Sequence, residues 1–384
     1  MLRHLKLHGM IIGVLFLLAY MLYLSTDFLA LEAESVAADE VSDDENSDTY
    51  VRAISQITPL GFMVTGVEDS IVISVETVEE ADGYEVYESI DSENFTLAMS
   101  SPDIEIVLSE KGFNENYTYY VQAYEEVGST RVYSQKSERL SASTAPEGAV
   151  STIKTLLKTG LAPMGSTMYI WGGGWNEADD GAGPTTMQIG TSSTWREFAK
   201  EQDASYDFNN HRYQIHDGLD CSGYLGFINY NILNTESGNE GYVTWAADTG
   251  PYLADLGLGV YTNETLHTSY LPGDVLYNDA HVYIVIGRAS DSSLLIMHAS
   301  PKGVKLSGTP IPSGESSQAA ALATDYMSQY FPEYYEKDDN YQMDYSYLNS
   351  YQKFQYDTSL VADPDGYLEL SAEEIMADLF DGFE

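Results

Sequence analysis

A single cysteine among 384 residues, Cys221, forbids any disulfide within the chain. Whatever this sequence folds into must therefore be held by apolar packing rather than by covalent staples. That matters because the chain opens like an exported protein. Arg3, His4, Lys6 and His8 precede an apolar run over residues 10–24, and polar Ser25, Thr26 and Asp27 follow it. The run is short for a membrane span and suits a signal-peptide core, with small-residue cleavage points at Val36-Ala37-Ala38 or at Leu31-Glu32-Ala33. Cleavage is the favoured reading of residues 1–38 and a retained membrane anchor the alternative, the positive end staying inside in either case. An unpaired thiol outside the cytoplasm is a liability unless it reacts. Cys221 therefore reads as a nucleophile, against the alternative of an inert core residue.

The surroundings of Cys221 favour the first reading. Tyr224, Leu225, Ile228, Ile232 and Leu233 recur at helical spacing, which predicts a buried helix beginning near the cysteine. Asp220 is a good N-cap residue. A thiol in the first turn sits among unpaired backbone N–H groups at the positive end of the helix dipole, which favours the thiolate and offers donors to an oxyanion. A thiolate needs a histidine to trade protons with, and that histidine needs a polar partner to orient it. Residues 271–277 read as a turn feeding a strand, 281–287 as a strand opening on His281, and 294–299 as a third strand carrying His298. If the last two strands form a hairpin, a register pairing residues whose numbers total an odd sum puts His281 and His298 on one face, as opposite or diagonal neighbours. An even sum separates them, and the sequence leaves the register open.

These residues resemble those of the NlpC-type cysteine peptidases that cut bacterial cell-wall peptides. The matching segments are Asp220-Cys221-Ser222-Gly223-Tyr224, then Pro272-Gly273-Asp274 with His281 and the strand ending in Gly287. His298-Ala299-Ser300 followed by Gly303-Val304 also matches, as does Tyr169-Ile170-Trp171-Gly172-Gly173 upstream. The resemblance covers roughly residues 149–308. It implies a papain-like α+β fold in which the nucleophile helix packs on an antiparallel sheet. It further implies that Cys221 attacks the scissile carbonyl, that His281 serves as base and then acid, and that His298 orients His281. Tyr169 would border the oxyanion or substrate site, and Asp220, Ser222 and Gly223 would support the nucleophile turn. No metal or organic cofactor is implied.

Residues 174–219 form an insertion much longer than the connections usual in compact domains, suited to a lid or an extra substrate wall. Residues 194–200 within it read as a short helix. The insertion also holds His211 and His216, which with His267 lie in polar, loop-like sequence and are weaker candidates for the base.

With 60 acidic residues against 17 basic and a net charge of −43, nucleic acid and anionic lipid surfaces are poor partners. Any attraction to an anionic cell wall must then come from specific contacts. Residues 39–53 read as an acidic linker. Residues 54–145 carry short alternating strands at 71–75, 83–88, 104–108 and 117–124, the pattern of a β-sandwich. This part resembles a fibronectin type III module, with Tyr117 a candidate corner tyrosine and Ile73 or Val75 where such modules carry a tryptophan. The peptidase-like domain spans 146–317, and an acidic, Tyr-rich C-terminal extension spans 318–384. Ser371 and Glu374 ahead of Ile375, Met376, Leu379 and Phe380 read as a capping box on a short helix, and Asp363-Pro364-Asp365-Gly366 as a turn. The function implied is an exported cysteine endopeptidase acting on peptidoglycan stem peptides, at the bond between D-glutamate and the diamino acid. It would act outside a bacterium or at its surface, meeting the membrane only through its N-terminal segment. The alternatives are an amidase or acyl transferase using the same site, or an inactive surface adhesin.

Overall fold

The computed structural model describes residues 54–233, 241–311 and 317–381. The leader and linker expected over residues 1–53 lie outside them. Among the described residues no helix is long and apolar enough to cross a membrane.

The N-terminal part is an all-β sandwich. Its strands are β1 (Met63–Val67), β2 (Ser70–Ser74), β3 (Gly83–Ser89), β4 (Thr96–Ser101), β5 (Glu105–Leu108), β6 (Asn116–Val127), β7 (Thr130–Tyr133) and β8 (Leu140–Ser143). One sheet runs β1-β2-β5 and the other β4-β3-β6-β7, with β8 also on β6; every pairing is antiparallel. Alternate residues of β6, namely Tyr117, Tyr119, Val121 and Ala123, face Ile71, Ile73, Ile106 and Leu108 across the gap between the sheets. This is the two-residue period of a half-buried strand. Ile73 and Val75 are both buried. The Tyr117 hydroxyl donates to Glu115 Oε2 at 2.6 Å and lies beside the Gly112 N–H.

The rest of the chain mixes helices and strands. In chain order these are β9 (Ser151–Thr152), α1 (Ile153–Leu161), β10 (Met168–Tyr169), α2 (Ser193–Glu201), β11 (Gly218–Leu219), α3 (Cys221–Leu233), α4 (Thr249–Asp255), β12 (Gly259–Thr262), β13 (Val275–Tyr277), β14 (Val282–Arg288), β15 (Leu294–Ser300) and β16 (Gly303–Gly308). The C-terminal segment adds α5 (Gln318–Tyr330), α6 (Pro332–Tyr335), a 3₁₀ turn at Tyr345–Leu348, β17 (Gln352–Tyr356), β18 (Val361–Ala362) and α7 (Ala372–Leu379). An eight-stranded sheet runs β11-β10-β16-β15-β14-β13-β17-β12, antiparallel except for the β10–β11 pair.

Both faces of this sheet are covered, and the strands divide their side chains accordingly. Val282, Ile284 and Ile286 of β14, with Leu295, Met297 and Ala299 of β15, join Leu156, Leu157, Phe227, Ile228, Ile375 and Met376 in the main core. The alternate residues Tyr283, Val285, Leu294 and Ile296 join a second cluster with Tyr351, against which Tyr347 and Leu348 pack. Residues 318–381 thus belong to the same packed body. They supply β17 between β13 and β12, and α7 opens on a capping box in which Ser371 and Glu374 satisfy each other's backbone N–H groups. Lys353 of β17 pairs with Asp274 at 3.2 Å, and Gln355 Nε2 donates to the other carboxylate oxygen at 2.8 Å. The aspartate of Pro272-Gly273-Asp274 therefore pins the C-terminal strand to the sheet.

The sandwich docks directly on this domain. Met63 of β1 belongs to the main core, Arg196 of α2 pairs with Glu76, and Lys158 Nζ donates to Ser141 O at 3.1 Å.

Candidate active site

Asp220 caps α3 as its residue type predicts. Its Oδ1 accepts from the Gly223 N–H at 2.7 Å and from Ser222 Oγ at 2.9 Å, while its carbonyl accepts from the Tyr224 N–H at 2.9 Å. Cys221 is therefore the first helical residue, and no backbone acceptor takes its N–H among the described hydrogen bonds. Trp175 Nε1 donates to Ser222 Oγ at 3.2 Å and fixes that hydroxyl. Gly223 is required by close approach, because a Cβ there would meet Gly173 O at 2.2 Å. Gly173 O in turn accepts from the Asp220 N–H at 3.0 Å. The segment holding Gly172 and Gly173 thus forms the backbone bed on which the start of α3 rests.

Cys221 is 7% exposed. Burial, then the neighbouring Asp220 carboxylate, pushes its thiol up to about 12, while the Val282, Ser222 and Cys221 N–H groups favour the thiolate. Burial also raises the Asp220 carboxyl to about 6. Val282 directly follows His281, so the start of β14 lies against the sulfur. Tyr169 of β10 also lies near the sulfur, its phenol raised by burial and then by the negative charge that Cys221 or Asp220 would carry. Its backbone is held by Tyr206, whose hydroxyl donates to Tyr169 O at 2.6 Å, and by the Tyr169 N–H donating to Lys302 O at 2.8 Å.

The β14–β15 register has the odd total: Ile284 faces Met297 and Val285 faces Ile296, before a bulge at Ile286 shifts the remaining pairs. Continuing it places His298 opposite Tyr283 and makes His281 its diagonal neighbour. His281 Nε2 and His298 Nδ1 are 2.8 Å apart, and His298 Nε2 lies 3.0 Å from Ser307 Oγ and 3.4 Å from Ser300 Oγ. His281 Nδ1 takes part in no described hydrogen bond. This connectivity links the tautomers. For His281 to accept a proton on Nδ1, its Nε2 must carry one and donate it to His298 Nδ1. His298 must then carry its own proton on Nε2, where two hydroxyl oxygens can accept it. Burial, then the Lys305 ammonium, holds His281 down to about 4, and burial, then His281 and Lys305, holds His298 well below the usual imidazole range. Both imidazoles are neutral at neutral pH.

The rival histidines lie apart from this group. His211 Nδ1 engages Gln214 Oε1 at 2.8 Å and stacks on Tyr206, and His267 Nε2 meets Tyr351 O at 2.9 Å. His216 is exposed. Three participants go unnoticed in the sequence: Ser307, Lys305 and Tyr347. The Tyr347 ring stands 5.9 Å from His281 and 6.2 Å from His298, and its phenol senses charge on Cys221. The alternation in β16, apolar Val304 and Leu306 against polar Lys305 and Ser307, is the signal that could have found the first two. Nothing local marks Tyr347, because it reaches the site from far along the chain. Among the described residues no group of three His, Cys, Asp or Glu side chains could hold a metal ion.

Solved fibronectin type III domains are similar to a minor part of the chain. The solution structure of the domain derived from human KIAA0970 protein shows 19% identity and a TM-score of 0.23, covering 28% of this chain and 87% of that one. The sixth such domain of human fibronectin type III domain containing protein 3 shows 16% identity and a TM-score of 0.22, covering 25% and 92%. FN3tt mut shows 21% identity and a TM-score of 0.19, covering 23% and 92%. No family model matches the chain, and no curated protein matches it.

Proposed function

We propose that this chain is an exported cysteine endopeptidase of papain-like α+β fold that hydrolyses peptidoglycan stem peptides, at the bond between D-glutamate and the diamino acid. The observation that carries the reading is one constellation: a cysteine at the first turn of a buried helix, beside a strand whose leading histidine is tied to a second histidine at 2.8 Å. The NlpC-type motif residues supply the substrate class. The sandwich is read as a fibronectin type III-like spacer from its sheet β1-β2-β5 facing the sheet β4-β3-β6-β7 with β8, and from Tyr117.

In this reading Cys221 Sγ bonds to the scissile carbonyl carbon while its proton passes to His281 Nδ1. The carbonyl oxygen takes the negative charge and meets the Cys221 N–H and the Tyr169 hydroxyl. Collapse expels the amine, which leaves with the proton from Nδ1, and a water then attacks the thioester as its own proton moves to Nδ1. Expulsion of the thiolate releases the acid, and Nδ1 returns its proton to sulfur. His298 donates nothing to the substrate; it fixes the His281 tautomer and ring and shares the charge that forms there.

The test is digestion of purified peptidoglycan by the wild-type chain, Cys221→Ala and His281→Ala, with products identified by mass. Cleavage by the wild type alone, with a new free amine on the diamino acid, is expected. Transfer of an acyl group or release of a different amide identifies the amidase or transferase alternatives. Wall binding by all three proteins without any cleavage leaves the adhesin alternative standing.

A further inference from the structure

We infer that Arg212 takes a carboxylate that the substrate carries beside the bond facing Cys221, and so sets substrate specificity; the inference rests on the hydrolytic reading above. Arg212 is an exposed residue of the insertion. Its guanidinium lies 5.1 Å from the Trp171 ring centroid and 5.6 Å from that of Phe208, and one Nη donates to Asn209 Oδ1 at 2.9 Å. Phe208 meets the Tyr169 ring edge-on at 5.4 Å, and Tyr169 borders Cys221. Cation, aromatic rings and nucleophile therefore follow one another from the surface inward. Trp171 is itself 43% exposed, two residues after Tyr169.

The charge on Arg212 reaches the Asp207 carboxylate and helps hold its pKa down, but it is not consumed in a close ion pair. Among the described residues no carboxylate forms an ion pair with it. Asp207, as near in sequence as Asp217, spends Oδ1 on the Asn209 N–H at 3.0 Å and on Asn209 Nδ2 at 2.9 Å. In a chain with 60 acidic and 17 basic residues, an exposed cation outside any close ion pair is unusual company for a nucleophile. A net charge of −43 repels an anionic substrate at long range, so its binding requires a fixed cation inside the screening distance of the site. Arginine suits that role better than lysine. Ring contacts hold the guanidinium plane while its edge N–H groups stay free to meet both oxygens of a carboxylate.

The test compares two synthetic stem-type peptides that differ only in whether the carboxylate next to the scissile bond is free or amidated. Full-length wild type, Arg212→Gln and Arg212→Lys are assayed for kcat/KM, and the same peptides are titrated against each protein in a Cys221→Ala background. The wild type is expected to prefer the free acid by about 10- to 100-fold, the span that one charge-assisted pair commands. Arg212→Gln is expected to bring the two peptides level by lowering the free acid, and Arg212→Lys to fall between. A preference that survives Arg212→Gln, or no preference in the wild type, overturns the assignment. If the wild type cleaves neither peptide, the hydrolytic reading fails, while the titrations still decide the inference by the same two criteria. Glycerol phosphate binding more tightly than the free-acid peptide, and lost in Arg212→Gln, overturns the carboxylate in favour of a phosphate.

Discussion

Replacing His281 by glutamine should make the folded chain relatively more stable in acid, although it removes the hydrogen bond to His298. Burial and Lys305 hold the native imidazole down to about 4, whereas the unfolded chain returns it to the ordinary 6.5. Between those values the unfolded state binds a proton that the native state refuses, so stability falls as pH drops through the window and levels off below it. Each pH unit is worth about 1.4 kcal/mol, so the integral from 6.5 to 4 is about 3 kcal/mol. At pH 7.5 the wild type should lead by the about 1 kcal/mol of a lost hydrogen bond to His298. By pH 4 the order should reverse. The assay is urea unfolding at half-unit steps from pH 7.5 to 4, followed by tryptophan fluorescence. All four tryptophans, Trp171, Trp175, Trp195 and Trp245, lie in the mixed domain and report on it rather than on the sandwich. The titration of 60 acidic residues is common to both proteins and cancels in the difference. A wild-type-minus-variant stability that stays level across this range, or grows toward acid, refutes the claim that the imidazole is held neutral by its surroundings.

In the proposed reaction the same depression should set the activity profile. Because Nδ1 accepts a proton only from the neutral ring, kcat/KM on a stem peptide should stay level from pH 7 to about 5 and fall near 4, and Tyr347→Ala, by admitting water, should move that fall toward 6.5. Asp338→Asn should destabilise the domain by about 3–5 kcal/mol, because it strands the buried Lys305 ammonium that Asp338 meets at 2.5 Å; pairing Lys305→Met with Asp338→Leu should recover most of the loss in urea titrations at pH 7. Ser371→Ala should cost about 1 kcal/mol through the cap of α7, and little further loss should follow when Glu374→Ala is added, a double-mutant cycle that reads the reciprocal bonding.

Much of this architecture is legible in the residues because it depends on local rules. Asp220 followed by a thiol and an apolar periodicity specifies a capped buried helix, and α3 begins at Cys221. The β14 and β15 runs announce themselves by continuous apolar sequence, and the parity argument reduces the histidine geometry to one bit of register. That bit is not local. It is set by which residues of β15 fill the main core, and the bulge at Ile286 then changes it for the outer half of the hairpin without disturbing the histidines. The weakest signal lies in the C-terminal segment. Its abundance of tyrosine and aspartate reads as composition, and in β17, Gln-Lys-Phe-Gln-Tyr, only Phe354 and Tyr356 alternate with polar residues, too brief a pattern to mark an interior strand. It sits inside the sheet because Asp274, some eighty residues earlier, offers Lys353 and Gln355 their partners.

That long-range dependence bears on the chemistry. On the face of the sheet away from α3, β15 and β16 carry His298, Lys305 and Ser307, a polar row that an open sheet face would leave in water. What covers it is the stretch around Asp338, Tyr341 and Tyr347: Asp338 and the Asn340 carbonyl take the Lys305 ammonium, and Tyr347 sets its ring against both imidazoles. Solvent exclusion there is what lowers both imidazoles, and it is Lys305, paired with Asp338 but still charged, that lowers them further. The residues proposed as nucleophile and base, with their supports, lie between positions 169 and 307, but the dielectric around the two imidazoles is supplied by residues 338–351. A fragment ending near 317 would keep every motif residue and lose the environment that sets their protonation.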